Sequence, residues 1–279
     1  MIHVMRAEAR HLTDFGWLKT SWWFSFSAYD DPAHIPCGAL RVCNDDVVAP
    51  HTGFGTPPHQ EMESITVVLD GAITHEDSLG TKAVIRAGEV QRLAAGTGIR
   101  HAEFHLGEVP AHCYQIWIYP DTSGVPPRYD QQSFAGTVWS NRLGPGASGQ
   151  GLPDVVTFHT DATLSLGALE AHRSVTHAPN GTRRVFVDIT EDGLAVDGTV
   201  LHTKDQERID AEAPLTLTAH QDTRCVLIDV PSCRGWGYDQ ATFRGIRSEG
   251  ARAWTVVQTP LSRGVGDPRH RHRQAPGGR

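Results

Sequence analysis

Histidine and glutamate residues that could bind a metal ion are concentrated in two short stretches of the chain, residues 54–63 and 96–103. His101 and Glu103 are two residues apart, so on a β-strand both side chains point to the same face, where one ion could meet both. His59, in the first stretch, is the natural third partner. Imidazole and carboxylate ligands without thiolate favour iron(II), manganese, cobalt, nickel or copper over a structural zinc ion. Two histidines and one carboxylate also leave coordination positions open for oxygen and substrate.

The same residues have a simpler interpretation, which is a hydrogen-bonded polar pocket without a metal. A histidine and a glutamate at this spacing also occur among ordinary surface or core polar residues. Glu61 and Glu63 share the parity of His59 if one strand spans the stretch, which would put both carboxylates near the same cavity. For Glu63 we expect a carboxylate that orients a ligand histidine, with a role as general base as the alternative.

Other candidate residues carry weaker signals. His75, His105 and His112 lie along predicted strands without a partner at a matching spacing, so we expect each to be a surface or hydrogen-bonded histidine. The aromatic cluster at residues 22–26 could line a ligand pocket. Large aromatic side chains near the start of a chain more often cap the core of a barrel, and we favour that role here.

The elements that must position these residues are β-strands. The 28 glycines and 17 prolines divide the sequence into short apolar runs with little helical periodicity, a pattern typical of all-β proteins. In the first half of the chain we predict strands at residues 40–48, 65–70, 72–76, 83–86, 89–94, 98–105 and 112–119. In the second half we predict strands at residues 163–169, 183–190, 199–204, 215–219 and 224–230.

A segment rich in proline, glycine, serine and glutamine separates the two strand series, which indicates two β domains in tandem. We place the first domain at residues 1–135, a linker at 136–155 and the second domain at 156–231. Residues 232–279 form a C-terminal extension. Its end is basic and rich in glycine and proline, and we expect it to be disordered.

Composition excludes several classes of protein. With 279 residues, 39% of them hydrophobic, the chain can bury one large core or two modest ones. Its apolar runs fall far short of the ~20 residues that span a bilayer, and no secretory signal is visible, so we expect a soluble, cytoplasmic protein. A net charge of −7 argues against direct binding of nucleic acid. Five cysteines without a Cys-X-X-Cys pair argue for buried thiols, not disulfides or structural zinc.

The sequence resembles the pirin family of bicupins, which includes bacterial members described as quercetin 2,3-dioxygenases. The segments that carry the resemblance include Ala39-Leu-Arg-Val-Cys-Asn-Asp-Asp46, Glu76-Asp-Ser-Leu-Gly80, Gly96-Thr-Gly-Ile-Arg-His-Ala-Glu103 and Tyr114-Gln-Ile-Trp-Ile118. A fainter similarity continues to residue 231. The resemblance implies an all-β fold of two tandem cupin (jelly-roll-like) barrels packed face to face. It also implies a metal in the N-terminal barrel and none in the C-terminal barrel.

In this family the metal is held by the two histidines of a His-X-His motif and by the histidine and glutamate of a later His-X-Glu motif. His59, His101 and Glu103 match three of these positions. At the fourth position the chain has Pro57, which offers neither a ligating side chain nor a backbone N–H. The resemblance thus implies a weakened site for one divalent metal, with iron(II) expected first and manganese, nickel, cobalt or copper as alternatives. Possible replacements for the missing imidazole are His51, Glu61 and Glu63.

The activity that the resemblance implies is oxidation of a flavonol-like or other small phenolic substrate by O₂. The heterocyclic ring would open and carbon monoxide would leave, while Glu103 or Glu63 takes the substrate's proton. Two alternatives stay open. The altered pocket could perform non-oxidative isomerisation, dehydration or cyclisation, which turnover without O₂ consumption would reveal. The chain could also be a metal-poor regulatory or binding module, whose partner would be a protein and not DNA.

Overall fold

The computed structural model describes residues 2–34, 36, 38–55, 58–134 and 136–231, together with the backbone of residues 256–258. These residues form 24 β-strands and three short 3-10 helices, at Ala7–Ala9, Pro32–His34 and Gly136–Val138. The predicted all-β class is confirmed, and the strands group into two barrels, as expected for a bicupin.

The first barrel consists of a seven-stranded and a six-stranded sheet. The seven-stranded sheet has the order β13 (Arg128–Ser133), β10 (Glu89–Ala94), β7 (Glu63–Asp70), β12 (Ala111–Ile118), β4 (Leu40–Val48), β3 (Leu18–Trp22) and β2 (His11–Asp14). The six-stranded sheet has the order β24 (Val256–Gln258), β5 (Thr52–Phe54), β11 (Ile99–Phe104), β8 (Ala72–Asp77) and β9 (Lys82–Arg86), and β6 (Pro58–His59) also pairs with β11.

The second barrel consists of a seven-stranded and a four-stranded sheet. The larger sheet has the order β1 (Ile2–Met5), β21 (Gln206–Ala211), β18 (Arg183–Glu191), β23 (Thr223–Pro231), β16 (Thr163–Leu169), β14 (Leu143–Ser148) and β15 (Val156–Thr157). The smaller sheet has the order β17 (Ser174–His177), β22 (Leu215–Ala219), β19 (Leu194–Val196) and β20 (Thr199–Leu201).

The two seven-stranded sheets share one apolar core. Ile65 and Val67 of β7 lie in this core with Phe186 and Ile228 of the second barrel. Side chains alternate along a strand, so Thr66, between Ile65 and Val67, faces the interior of its own barrel and contacts Glu103 there. β7 is therefore buried on both faces: one face joins the barrels and the other lines the candidate site.

The aromatic cluster of residues 22–26 divides between these two environments. Trp23 and Phe24 lie in the core between the barrels, as predicted. Trp22 and Phe26 belong to a separate cluster inside the first barrel, and Phe26 lines a pocket.

The predicted boundary between the domains needs two corrections. Residues 2–5 were placed in the first domain, but they form β1, which pairs with β21 of the second barrel. Residues 136–155 were interpreted as a linker, but they contain a 3-10 helix and β14, which pairs with β16. Glycine serves close packing here: a Cβ on Gly144 would lie 2.5 Å from the Trp139 ring.

Cys43, Cys113 and Cys225 are free and buried, as expected. Cys37 and Cys233 lie outside the described residues, as does the end of the chain that was expected to be disordered. Of the C-terminal extension, the backbone of β24 pairs with β5 at the edge of the six-stranded sheet. Among the residues described, none forms a helix long and apolar enough to cross a bilayer.

Candidate metal centre

Strand β11 presents His101 and Glu103 to the interior of the first barrel, as the spacing of two predicted. Its neighbours bring further side chains to the same face, because residues directly opposite one another on paired strands share a face. β6 places His59 opposite Ile99. β8 places His75 opposite Glu103 and Asp77 opposite His101.

Three of these side chains approach closely enough to share an ion. One ligand atom from each of His75, His101 and Glu103 lies within 4.8 Å of the others. Nδ1 of His75 is 3.6 Å from Oε1 of Glu103, and Nδ1 of His101 is 3.8 Å from the same oxygen. Both Nδ1 atoms are buried and have no hydrogen-bond partner. Buried nitrogens without partners beside a carboxylate fit the requirements of a divalent metal.

The carboxylate of Glu103 is fixed by three neutral side chains. Nε2 of Gln91 donates to Oε1, and Nε2 of Gln115 donates to Oε2. The Thr66 hydroxyl lies 3.4 Å from both oxygens. Burial by itself would raise the pKa of Glu103, but contact with His75 and the charges of His101 and His75 lower it to about 2. The group is therefore ionised and held in place, as a metal ligand must be.

His75 has both of its nitrogens directed at carboxylates. Nε2 lies 3.1 Å from Oδ2 of Asp77, and both side chains are fully buried. Burial lowers the pKa of His75, but contact with Glu103 and then with Asp77 outweighs this, and the pKa is raised. A carboxylate on the far nitrogen is the arrangement that orients a ligand histidine.

His59 packs against His101 at the same site. The centroids of the two rings are 5.0 Å apart, but His59 is not a member of the close group of ligand atoms. Burial, followed by the charge of His101, lowers the pKa of His59 to about 4. Burial also lowers the pKa of His101. His59 is consequently neutral near pH 7, the form in which an imidazole binds a metal.

His59, His101 and Glu103 line a pocket in the first barrel. Both aromatic and polar side chains line it. The lining residues are Phe26, Val42, Asn44, Asp46, Phe54, Gly55, His59, Ser64, His101, Glu103, Gln115 and Trp117.

Asp46 is a buried carboxyl group in this pocket that the sequence analysis did not single out. Asp46 is buried, with 1% of the residue exposed. Burial raises the pKa of Asp46 to about 7; the Thr20 hydroxyl opposes this rise and the charge of Asp45 adds to it. Asp46 can therefore exchange a proton near neutral pH.

The structure contradicts the expected position of Glu63. Its Oε1 accepts from Nε of Arg92 at 3.0 Å, and its Oε2 accepts from the backbone N–H of His159 at 2.7 Å. These contacts are on the face of β7 opposite Thr66. The prediction assumed one continuous strand, on which Glu63 would share the face of His59. Glu61, with φ +47°, instead separates β6 from β7, so the two side chains need not share a face.

His75 is hydrogen-bonded, as expected, to Asp77, but it also lies 3.6 Å from Glu103, a contact that the spacing along the chain did not indicate. His105 and His112 are hydrogen-bonded, as expected, to backbone carbonyls and to Asp45 respectively. The sequence did contain a signal for the pair of His75 and Glu103, because the His-X-Asp motif at residues 75–77 has the same spacing as the His-X-Glu motif at 101–103. The register that joins them was not readable from sequence.

The suggested replacements for the missing imidazole have other contacts. His51 lies 3.4 Å from Glu108. Glu61 accepts the backbone N–H of Gly124 at 3.1 Å. Pro57 lies outside the described residues.

Comparison with known proteins places this geometry in a family. The Pirin family model matches residues 4–118, and the model described as the quercetinase C-terminal cupin domain matches residues 147–230. A pirin-like protein of Caulobacter vibrioides is 41% identical over 77% of this chain and 94% of its own. A quercetin 2,3-dioxygenase of Escherichia coli is 37% identical over 83% of this chain and 99% of its own.

Solved structures agree with these relatives. The bacterial pirin YhhW of Escherichia coli, solved in complex with nickel(II), is 36% identical. The similarity covers 83% of this chain and all of that protein, with a TM-score of 0.77. Family models match both barrels, and relatives match over nearly their full length. The solved structure agrees with them. The chain belongs to the pirin family.

Proposed function

We propose that this protein is a metal-dependent dioxygenase of the quercetinase type, acting on a flavonol-like or other small phenolic substrate. The observation that carries the proposal is the pair of unpartnered imidazole nitrogens facing Glu103 beside an aromatic-walled pocket. The relatives named quercetin 2,3-dioxygenase support the reaction class. A shared fold alone is a weak warrant for an activity, so the proposal depends on the site.

The proposed ligands of the metal include His59, His101 and Glu103. Iron(II) suits a set of imidazoles and a carboxylate that leaves positions open, and nickel(II) is the ion in the YhhW structure. When bound, such an ion supplies Lewis acidity and a template that brings a phenolic oxygen and O₂ together. Glu103 contributes the negative charge of the set, and Gln91 and Gln115 keep it in place.

The walls of the pocket select an aromatic substrate. Phe26 and Trp117 pack edge to face with ring centroids 5.5 Å apart, and Trp117 packs against His59 at the same distance. Phe54, opposite Glu103 on β5, closes another side. Aromatic rings of this kind bind a planar substrate by stacking and exclude water from the reacting atoms.

The proton of the substrate needs an acceptor within the pocket. Two carboxylates were predicted for this role. Glu63 is paired with Arg92 instead. Glu103 has a pKa of about 2, which makes it a weak base. The pKa of Asp46 is about 7, and a base is most effective when its pKa is near the working pH. We therefore assign proton acceptance to Asp46, with Glu103 acting as a ligand.

A non-oxidative reaction on a small aromatic metabolite is the second candidate function. It is motivated by Pro57, which replaces an imidazole that the family uses to bind the metal. The two candidates differ in whether turnover consumes O₂.

The test is an oxygen-electrode assay with quercetin as probe, on protein loaded with iron(II) or nickel(II). We expect one O₂ consumed and one carbon monoxide released per quercetin, and loss of both signals in His101→Ala. His220→Ala changes an exposed histidine of the second barrel and should behave as wild type. Loss of quercetin without O₂ uptake would favour the non-oxidative candidate. No turnover by metal-loaded protein would count against the proposed substrate class.

A further inference from the structure

His75 lies inside the first barrel, beside two of the proposed ligands. It is fully buried on β8, directly opposite Glu103 across the strand pair. Its ring lies 5.4 Å from the ring of His101, centroid to centroid. A buried polar side chain normally has partners for its nitrogens.

The two nitrogens of His75 are in different situations. Nε2 has an acceptor in Asp77 at 3.1 Å. Nδ1 has no hydrogen-bond partner and points toward Glu103. If Nε2 carries the ring proton and donates it to Asp77, Nδ1 holds a free lone pair. That lone pair is directed at the same carboxylate oxygen as Nδ1 of His101.

The distances from Glu103 to His75 and to His101 suit one ion. Metal–nitrogen and metal–oxygen bonds are about 2.1 Å long, so two ligand atoms of one ion are at most about 4.2 Å apart. The separations of 3.6 and 3.8 Å from Oε1 of Glu103 lie inside this limit. Sequence position 57, in contrast, holds a proline, which has no ligating side chain.

We propose that His75 is a ligand of the metal, so that His59, His75, His101 and Glu103 together form a set of three imidazoles and one carboxylate. The inference rests on the proposed metal site and specifies its composition. His75 would provide from β8 the imidazole that Pro57 does not provide, and Asp77 would hold it in the ligating tautomer.

The competing role for His75 is an imidazolium that bridges the carboxylates of Asp77 and Glu103 without a metal. The two roles predict opposite effects of substitution. A ligand is needed for affinity, so its removal weakens metal binding. A buried positive charge beside the site repels a cation, so its removal would leave affinity unchanged or increase it.

The test is titration of the metal-free, full-length chain with cobalt(II) at pH 7.5, followed by calorimetry and by visible absorption. In His75→Gln the glutamine amide can still donate to Asp77, which limits structural damage. We expect affinity to fall by at least about 100-fold, more than the usual effect of removing an outer partner, with a changed cobalt spectrum. The matched control is His112→Gln, because His112 also pairs with an aspartate, Asp45, but does not line the pocket.

The outcomes separate this inference from the proposed function. If wild-type protein binds no cobalt(II), the metal site itself fails. If wild type binds and His75→Gln binds equally well or more tightly, His75 is structural and the inference is overturned. Should His75→Gln not fold, ¹⁵N NMR of histidine-labelled wild-type protein titrated with zinc(II) replaces it. A metal-induced shift of the His75 Nδ1 signal with Nε2 still protonated is expected, and an unchanged His75 Nδ1 signal would refute ligation.

Discussion

Asp77 connects a β-hairpin turn to the side chain of His75. Its Oδ2 lies 3.1 Å from Nε2 of His75, and its Oδ1 accepts the backbone N–H groups of Leu79 and Thr81 at 2.9 and 3.0 Å. The turn between β8 and β9 thus fixes the carboxylate, and the carboxylate fixes the imidazole. A change in the turn would be transmitted to the proposed metal centre through these contacts.

Asp77→Asn tests this connection. The amide keeps an oxygen for the turn but can offer Nε2 of His75 an N–H in place of an acceptor, which favours the tautomer with Nδ1 protonated. We expect affinity for cobalt(II) to fall about 10- to 100-fold, as measured by calorimetry. Asp45→Asn, beside His112, is the control and should bind cobalt(II) as wild type does. Wild-type affinity in Asp77→Asn would show that Asp77 does not position a ligand.

Glu63→Gln should affect stability and leave metal binding intact. Glu63 and Arg92 form an ion pair in which the side chains are 1% and 2% exposed, and breaking such a pair leaves a buried charge without its partner. We expect a loss of roughly 3 kcal/mol in the free energy of unfolding, since Asp130 still pairs with Arg92. Urea denaturation measures the loss. If the variant folds but cannot bind metal, Glu63 takes part in the metal site and this prediction is wrong.

Asp46→Asn should change how stability depends on pH. The pKa of Asp46 is about 7 in the folded protein, against an ordinary value of 3.8. Between these values the unfolded chain has lost the proton and the folded chain retains it, so rising pH favours unfolding. The difference corresponds to roughly 4 kcal/mol, lost progressively from about pH 4 to pH 7.

The measurement is urea denaturation of metal-free wild type and Asp46→Asn at several pH values from 4.5 to 8. His59, whose pKa is about 4, contributes the opposite slope to both proteins, so only the difference between them reports on Asp46. The variant should gain stability relative to wild type as pH rises. A constant difference across the range would show that Asp46 does not titrate there. If Asp46 is also the base, kcat should fall in the variant while cobalt(II) affinity is retained.

Trp117→Ala tests the aromatic wall. Trp117 packs against both Phe26 and His59, so its removal takes away a stacking surface while every proposed ligand stays in the chain. Such contacts are worth about 0.5–1.5 kcal/mol beyond burial, and quercetin should bind at least several-fold more weakly at unchanged metal content. Quercetin absorption titrations give the affinity. Equal affinity in both proteins would place the substrate elsewhere.

The strand pattern was readable from sequence where turns and apolar runs are clear. β4, β10, β16 and β22 have the predicted bounds, and glycine or proline lies within two residues of both ends of β4 and β10. β14 was missed because its glycines resemble a linker by composition, although they permit close packing against the 3-10 helix. β1 was missed because its partner, β21, lies about 200 residues away in sequence.

The candidate site was only partly predictable for a related reason. A period of two correctly put His101 and Glu103 on one face. It could not reveal that β8 pairs with β11, because two strands intervene between them in sequence. The approach of His75 and Asp77 to His101 and Glu103 was therefore not predictable from the sequence. Glu63 was misplaced because parity cannot be carried through a turn, and Glu61 forms one.

The most direct test of the central claim is the metal content of the full chain, purified without chelators or a metal-affinity tag, by elemental analysis. His101→Ala is the comparison, because the ring centroid of His101 lies 5.0 Å from that of His59 and 5.4 Å from that of His75. We predict close to one iron, nickel, manganese, cobalt or copper ion per wild-type chain and its loss in the variant. Little metal in either protein, or equal metal in both, would contradict a metal centre built on His101 and Glu103.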